Sequence, residues 1–315
     1  MPGYTEDDLA EWCKAYWSPF PPVRVNGISK DTRTILDYEV YIALEGENFN
    51  GHDFVGKAFA KNASGVIVSE KWWNTVENTI TWESNGPIMA VADTRKALKD
   101  MASGYRKRLG AKVIAVTGSA GKTTVKEMIM SVLSMKGKTG GTRGNYNNEI
   151  GVPLSVLGLD GDEDYAVFEM GTSASGEIRK LAKIVDPEWG LVTNVAPAHI
   201  EYFKDMDAIA EEKASLIAGL SADGAAFLNA DCEKFKEVRK HAKCQVVTVS
   251  VDGKDADYSC VERNVGRNEI VVREKNTGRI VILKMFLPGR HNAANALFAV
   301  AVGRFAGINW DLIGE

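Results

Sequence analysis

The stretch VIAVTGSAGKTTVKEMI, residues 113–129, decides the fold of this chain. An apolar run of strand type enters a loop with two glycines, and a lysine, two threonines and a helical pattern follow it. Glycine lets backbone N–H groups approach an anion, and the N-terminus of a helix adds positive partial charge. The loop 118–123 therefore predicts a nucleotide phosphate site, with Lys122 on the outer phosphate oxygens and the Thr123 hydroxyl on Mg²⁺.

One position departs from the strict P-loop pattern. The glycine that opens the pattern is replaced by Val116 in this chain. An ordinary glycine turn between a strand and a helix is the alternative interpretation. The order of strand, glycine loop, lysine, paired threonines and helix favours the phosphate site over that turn.

The composition indicates an ordinary globular protein of about two domains. The chain has 315 residues, of which 45% are hydrophobic and 25% charged, and a formal net charge of −4. This charge argues against nucleic acid as a partner. No apolar run is long enough to cross a bilayer, and the N-terminus lacks the apolar core of a secretory signal. Since the four cysteines are scattered, we expect a reduced, cytoplasmic protein. We also expect a monomer without membrane insertion.

The pattern along the chain predicts an α/β fold in two parts. Strands are predicted at residues 38–44, 65–68, 88–92, 113–117, 165–169 and 191–194. Helices are predicted at residues 5–17, 54–61, 93–109, 122–135, 175–184, 206–220 and 291–305. Residues 1–92 form a small α/β domain in this scheme, and residues 93–315 form a mainly parallel sheet flanked by helices. The strand-rich stretch 246–286 is expected to add an antiparallel portion.

Two candidate metal ligands follow predicted strands. Glu169 ends the apolar strand YAVFE, and His199 comes shortly after LVTNV. Ligands gather at the carboxyl ends of strands in open parallel sheets, and a carboxylate that ends a buried strand needs a cation or hydrogen-bond donors. The alternatives are a water-exposed loop carboxylate at Glu169 and a satisfied loop or core histidine at His199.

A lysine falls on the apolar stripe of the helix predicted at 206–220. Lys213 shares its face with apolar residues, and Glu211 and Glu212 lie off that face; the stripe is Ile209, Leu216, Ile217 and Leu220. Burial favours the neutral amine, which can react with carbon dioxide to give a metal-binding carbamate. Periodicity alone favours the alternative, in which the side chain reaches out to solvent.

Eight motifs follow one another in the order and spacing of a single family. They are GISKDTR (27–33), YIALEGENFNGHDF (41–54), TGSAGKTT (117–124), GNYNNEIGVP (144–153), FEMGTSASGEI (168–178), TNVAPAHIEYF (193–203), AEEKASLI (210–217) and GRHNAANALFAVA (289–301). With them the chain resembles the Mur ligases over nearly its whole length. GNYNNEIGVP and the Glu-Met-Gly triplet resemble the branch that adds D-Ala-D-Ala. Asn50 replaces the usual aspartate of an Asp-Gly-His motif, which is a mild departure.

The resemblance implies an ATP-dependent amide ligase of peptidoglycan precursor synthesis. ATP would phosphorylate the terminal carboxylate of UDP-MurNAc-tripeptide, and the amine of D-Ala-D-Ala would attack the acyl phosphate. The first domain would bind the UDP-MurNAc-peptide, and the central domain would bind ATP and Mg²⁺. The first-domain motifs argue against a folylpolyglutamate-synthase-like ligase, and GNYNNEIGVP argues against the branch that adds the third amino acid. A ligase that adds another amino acid, a folylpolyglutamate-synthase-like ligase and a non-catalytic nucleotide-sugar-binding module stay open as alternatives.

The resemblance also assigns roles to individual residues. The ATP-binding set is Gly118, Ser119, Ala120, Gly121, Lys122, Thr123, Thr124 and Asn295, the last against adenine. The catalytic set is Lys122, His199 and Lys213, and the metal set is Thr123, Glu169, His199 and Lys213, with Lys213 carbamoylated. Substrate contacts fall to Ser29 and Arg33 near the uracil nucleotide and to Asn145, Asn147 and Asn148 near the γ-phosphate and the acyl carboxylate. The alternative for the three asparagines is a turn with positive φ.

The chain length departs from the family pattern. Family members carry a third, C-terminal ligase domain, and this chain stops at about the position where that domain would start. We therefore expect a two-domain fragment that binds its nucleotides but is inactive alone.

Overall fold

The computed structural model describes residues 2–76, 86–197, 203–285 and 287–313. The chain divides into two compact units, Met1–Gly110 with Pro153–Asp162, and Ala111–Val152 with Glu163–Glu315. Residues 93–110 and 153–162 thus fall in the first unit, whereas the division from sequence placed both in the second domain. The binding role of each unit stays a prediction.

The first unit is built on a mainly parallel sheet. Its strands among the described residues are β1 (Trp17–Ser18), β2 (Gly27–Ser29), β3 (Glu39–Ile42), β4 (Gly65–Ser69) and β5 (Ile88–Val91). They lie in the order β1-β5-β4-β3-β2, with β1 antiparallel to β5 and the other pairs parallel. The helical segments are α1 (Glu6–Cys13), a 3₁₀ turn (Gly51–Phe54), α2 (Val55–Phe59), α3 (Glu70–Val76) and α4 (Thr94–Arg106).

Helix α4 packs as part of the first unit. The side chain of Asp93 accepts hydrogen bonds from the N–H groups of Arg95 and Lys96 and so caps the N-terminus of the helix. One face of the helix is buried and carries Ala97, Leu98, Met101, Ala102 and Tyr105. The Tyr105 hydroxyl donates a hydrogen bond of 3.0 Å to the Leu159 carbonyl, which lies in the 153–162 segment of the same unit. The helix predicted at 93–109 is therefore a packed element of this unit.

The second unit contains a larger sheet. Its strands among the described residues are β6 (Lys112–Thr117), β7 (Thr139–Gly141), β8 (Tyr165–Glu169), β9 (Trp189–Val192), β10 (Ala225–Asn229), β11 (Gln245–Ser250), β12 (Tyr258–Asn264), β13 (Glu269–Glu274) and β14 (Ile280–Lys284). Its helices are α5 (Lys122–Ser134), α7 (Glu177–Val185), α8 (Met206–Ala218), α9 (Phe235–Arg239), α10 (Arg290–Phe305) and α11 (Trp310–Ile313). Helix α6 (Gly151–Leu157) begins in this unit and ends in the first.

Helices cover both faces of the larger sheet. The strand order is β14-β13-β12-β11-β10-β9-β6-β8-β7, parallel from β7 to β12 and antiparallel from β12 to β14. Trp189 of β9 packs in the core cluster that includes residues of α5 and α10. The next residue, Gly190, lies against Leu216 and Leu220, at the C-terminal end of α8. Successive strand residues point to opposite faces, so α8 covers the face that α5 and α10 leave open.

The structure confirms the α/β class and the antiparallel portion predicted in 246–286. The strands predicted at 113–117 and 165–169 are β6 and β8, whereas β9 begins and ends two residues before the predicted 191–194. Sequence analysis missed β1, β2, α3, β7, α6, β10, α9 and α11. The helix predicted at 5–17 ends at Cys13, and Trp17 lies in β1. No helix among the described residues is both long and apolar enough to cross a membrane.

His52 is buried in the first unit, where only 2% of it is exposed. Its Nε2 accepts a hydrogen bond of 2.9 Å from the N–H of Ser69. The neutral ring therefore carries its proton on Nδ1, which lies 2.6 Å from the Asn50 carbonyl oxygen Oδ1. Burial lowers the pKa of His52 below its ordinary 6.5, although the negative charges of Glu45 and Asp53 oppose this effect.

This lowered pKa predicts a loss of local stability in mild acid. Below about pH 6.5 the unfolded chain binds a proton at His52 that the folded chain does not. The free energy of unfolding therefore decreases as the pH is lowered, by at most about 1.4 kcal/mol per pH unit. Hydrogen exchange should show a falling protection factor for the Ser69 amide between about pH 7.5 and about pH 5.5. In His52→Gln, whose side-chain oxygen can accept the same N–H without titrating, protection should stay constant. Constant protection in the unmodified chain would contradict the assignment.

Candidate functional site

The loop between β6 and α5 requires its two glycines. Gly118 and Gly121 have φ angles of 148° and 81°, which non-glycine residues rarely adopt. A Cβ atom on Gly118 would lie 1.9 Å from Oγ1 of Thr193, and one on Gly121 would lie 2.8 Å from Oδ1 of Asn295. The loop is therefore packed closely between the end of β9 and the start of α10, and Asn295 lies directly against it.

Residues 193–196, which follow β9, hold this loop through hydrogen bonds. The N–H groups of Ser119 and Ala120 donate to the carbonyl oxygen and to Oδ1 of Asn194, at 3.1 and 2.9 Å. The Thr193 hydroxyl donates to the carbonyl of Ala120 at 2.6 Å, and the Ser119 hydroxyl donates to the carbonyl of Ala196 at 2.9 Å. Two of the loop N–H groups expected to face a phosphate are therefore already engaged within the protein.

The first turn of α5 supplies the remaining anion-binding donors. The Val125 N–H donates to the carbonyl of Gly121 at 2.9 Å, which is where the helical hydrogen bonds begin. The N–H groups that precede this bond at a helix N-terminus have no partner within the helix, and they carry the positive end of its dipole. The predicted residues Lys122, Thr123 and Thr124 lie in this turn.

Lys122 lies over the loop. Its Nζ donates a hydrogen bond of 2.9 Å to the Gly118 carbonyl. Burial lowers the pKa of Lys122, and the negative charge of Glu169 opposes that shift. The ammonium group is thus placed between the loop and an acidic side chain, as a phosphate-neutralising lysine needs to be.

Glu169 is the centre of the site. It is 2% exposed at the end of β8, so the water-exposed alternative is wrong. Its Oε2 accepts a hydrogen bond of 2.8 Å from the Thr123 hydroxyl, and its Oε1 accepts one of 2.8 Å from the Asn147 amide. Its backbone N–H donates to the Thr142 hydroxyl at 3.0 Å. One carboxylate therefore joins the start of α5 to the Asn-rich segment.

The three asparagines of GNYNNEIGVP have different surroundings. Asn147 contacts Glu169, whereas Asn145 is exposed and its carbonyl accepts the Asn147 N–H at 2.8 Å. Oδ1 of Asn148 accepts the N–H groups of Ile150 and Gly151 at 3.2 and 2.8 Å, so this side chain caps the start of α6. None of the three, all within the described residues, has a positive φ, so the positive-φ alternative is wrong.

Lys213 is buried on α8. It is 3% exposed, so the solvent-reaching alternative favoured by periodicity is wrong. Its Nζ forms no hydrogen bond or ion pair in the part of the chain that the structure describes. The pKa of Lys213 is lowered to about 8, first by burial and also by the positive charge of Lys122, whereas the negative charge of Glu212 opposes the shift. An amine with this pKa is neutral in about a tenth of the molecules at pH 7.

Glu212 contradicts the expectation that it lies off the buried face. It is 4% exposed and accepts hydrogen bonds from the N–H groups of Gly176 and Ile178, at 2.6 and 2.8 Å. These donors lie at the start of α7, where a carboxylate satisfies the free N–H groups of the helix. No periodicity signals this role, because the partners come from a different helix.

The structure brings together most of the site residues predicted in the central domain. The predicted substrate contacts Ser29 and Arg33 are not among them. Lys122, Thr123, Asn147 and Glu169 are linked by hydrogen bonds or charge, Lys213 interacts with the charge of Lys122, and Asn295 contacts the loop. His199 lies outside the described residues. Ser29 and Arg33 lie in the first unit, where Ser29 hydrogen-bonds the backbone of Asp31 and the exposed Arg33 pairs with the Asp31 carboxylate at 2.6 Å.

The donors around Glu169 fit a magnesium ion. A carboxylate and a threonine hydroxyl are the hard oxygen ligands that Mg²⁺ prefers, and they lie within 2.8 Å of each other. A buried carboxylate held by two neutral donors also gains from a nearby cation. Glu169 and Thr123 are therefore the residues that would hold the ion.

The region that contains this site matches a known protein family. The Mur ligase middle domain family matches residues 116–303. A UDP-N-acetylmuramoyl-tripeptide–D-alanyl-D-alanine ligase from Synechocystis sp. is 37% identical over 290 residues, which cover 92% of this chain and 60% of the relative. The chain spans about 60% of the length of the curated relatives it matches.

Solved structures show the same similarity. MurF from Acinetobacter baumannii superposes with a TM-score of 0.86 and 32% identity, over 99% of this chain and 67% of that one. MurF ligase from Thermotoga maritima in complex with ADP superposes with a TM-score of 0.77 and 25% identity, over 92% of this chain and 65% of that one. Because the family match covers more than half of its length and includes the whole site, the chain belongs to the Mur ligase family.

Proposed function

We propose that the protein is an ATP-dependent amide ligase that joins D-Ala-D-Ala to UDP-MurNAc-tripeptide in peptidoglycan precursor synthesis, in the cytoplasm. The observation that carries the proposal is the position of Glu169 between Thr123 of the phosphate-loop helix and Asn147 of the Asn-rich segment. The printed names of the relatives support the choice of D-Ala-D-Ala over another amino acid. The ADP complex of the Thermotoga maritima relative supports nucleotide binding by this chain.

The nucleotide phosphates bind at the start of α5 in this proposal. The N–H groups of the first turn point toward the phosphates, and Lys122 neutralises the outer phosphate oxygens. Ser119 and Ala120 act differently from the original expectation, because their N–H groups shape the loop through Asn194. Asn295 lies against Gly121, on the side where we place the adenine ring.

Glu169 and Thr123 would hold Mg²⁺, and His199 and a carbamoylated Lys213 would complete the proposed metal set. The ion supplies charge neutralisation for the phosphates when it is bound. Lys213 suits this role because its buried amine can attack carbon dioxide, which forms an N–C bond and releases one proton. The product is a carboxylate in place of a cation, which removes a positive charge beside Lys122.

The two half-reactions follow from charge and position. A carboxylate oxygen of the tripeptide attacks the γ-phosphorus, and the bond to ADP breaks. The amine nitrogen of D-Ala-D-Ala then attacks the acyl carbon, phosphate leaves, and the nitrogen loses a proton. Lys122 and the α5 N-terminus reduce the repulsion between ATP and the incoming carboxylate. Asn145 and Asn147 lie on the segment that we assign to the substrate carboxylate, and Asn148 keeps its capping role.

The first prediction of the proposed function concerns Mg²⁺-dependent ATP binding by this chain. Calorimetry should show tighter binding of ATP with Mg²⁺ than without it. Glu169→Gln should weaken Mg·ATP binding about tenfold or more, equivalent to about 1.4 kcal/mol, and bring it close to the metal-free affinity. Glu211→Gln is the matched control, because Glu211 lies on exposed helix surface and pairs with His241. Equal Mg²⁺ dependence in Glu169→Gln and the unmodified chain would count against the metal site.

The second prediction concerns Lys213. Incubation with ¹³C-labelled carbon dioxide should give a carbamate resonance in the ¹³C NMR spectrum of the chain, and Lys213→Arg should lack it. In the full-length protein, Lys213→Ala should lower turnover at least a hundredfold, and added short carboxylic acids should restore part of it. A carbamate resonance that survives in Lys213→Arg, or full turnover in Lys213→Ala, would remove the carbamate from the proposal.

The third prediction concerns the ligation itself. The chain spans about 60% of its relatives, so the assay uses the full-length gene product. Phosphate release from ATP should require both UDP-MurNAc-tripeptide and D-Ala-D-Ala. Release that is independent of the dipeptide, or that needs a single amino acid instead, would contradict the assigned branch.

A further inference from the structure

Lys126 is a buried cation that neither the motif nor the proposed mechanism uses. It lies on α5 three residues beyond Thr123, on the face that packs toward β8, and it is 0% exposed. Its Nζ donates a hydrogen bond of 2.7 Å to the Thr142 carbonyl and lies 2.6 Å from Oε1 of Glu127. Complete burial of a lysine ammonium is costly, so the polar contacts of Lys126 need to offset the lost hydration.

Thr142 connects this lysine to the site. It follows β7, the strand at the outer edge of the larger sheet, and its N–H extends the pairing with β8 through the Val167 carbonyl at 3.0 Å. Its hydroxyl accepts the N–H of Glu169 at 3.0 Å. The segment that carries Asn147 begins immediately after it. Thr142 therefore fixes both the backbone of Glu169 and the start of the segment whose amide holds the Glu169 carboxylate.

We propose that Lys126 is a positioning residue for the magnesium site: it fixes Thr142, and Thr142 holds Glu169 and Asn147 in the arrangement that binds the ion. This inference rests on the proposed function. Hydrogen bonds from Thr123 to Glu169 and from Lys126 to Thr142 join helix α5 to the β7–β8 edge. The first hydrogen bond lies in the proposed metal site. The second fixes Thr142, whose hydroxyl accepts the Glu169 N–H. Without Lys126, the buried Thr142 carbonyl loses its donor and the edge shifts to recover one.

The test compares ATP affinity with and without Mg²⁺ by calorimetry, using the whole chain. In Lys126→Met, the affinity gain due to Mg²⁺ should fall at least fivefold, while metal-free ATP affinity stays within about twofold, because the loop and α5 stay in place. Thr142→Val, which keeps the carbonyl but removes the acceptor for Glu169 N–H, should show the same loss. Lys136→Met is the matched control, since Lys136 donates to the Ala306 carbonyl away from the site.

The melting temperature of each variant distinguishes a loss of fold stability from a displaced magnesium site. A lower melting temperature in Lys126→Met with an unchanged gain from Mg²⁺ would show a purely structural lysine and overturn the inference. If Lys126→Met does not fold, Thr142→Val decides: an unchanged gain from Mg²⁺ in that variant overturns the inference, and a fivefold loss supports it. Absence of any Mg²⁺-dependent ATP binding in the unmodified chain would overturn the proposed function as well, so the two failures are distinguishable.

Discussion

The buried carboxylate of Glu169 is the constraint on which the rest of the site depends. It stands at the end of β8, the strand next to the edge strand β7, and is 2% exposed. Its two oxygens accept hydrogen bonds from Thr123 and Asn147. A charge in that position is costly unless donors or cations surround it. The start of α5, the end of β8 and the Asn-rich segment are therefore held to one geometry, and our proposal places the metal-bound triphosphate there.

The phosphate loop is shaped from outside as much as by its own glycines. Thr193, Asn194 and Ala196 take up four of its hydrogen-bonding groups. Two loop N–H groups are consequently engaged within the protein, so our proposal places the phosphates at the N–H groups of the first turn of α5. The same neighbourhood places Lys213 where the charge of Lys122 acts on it. The buried ammonium of Lys213 is unfavourable beside the cation of Lys122. This repulsion is the physical reason for expecting conversion of Lys213 to an anionic carbamate.

Sequence predicted the parts of this site that local patterns determine. The strand, glycine loop and helix at 113–134 follow from apolar periodicity and loop composition, and Glu169 follows from its place at a strand end. The burial of Lys126 and Glu212 was not predictable, because their partners, Thr142 and the start of α7, come from other elements. Periodicity placed Lys213 on the correct face but could not decide between burial and exposure, which depends on the packing around α8. The role of Asn148 as a helix cap was missed because α6 was not predicted.

The measurement that tests the central claim most directly is anomalous diffraction from crystals of this chain soaked with Mn²⁺ and a non-hydrolysable ATP analogue. Mn²⁺ replaces Mg²⁺ at oxygen sites and scatters strongly enough to locate. The account predicts a manganese peak within about 2.5 Å of both the Glu169 carboxylate and the Thr123 hydroxyl, with the nucleotide phosphates at the first turn of α5. A nucleotide bound elsewhere, or a manganese peak remote from a Glu169 that still accepts the Thr123 hydrogen bond, would contradict it.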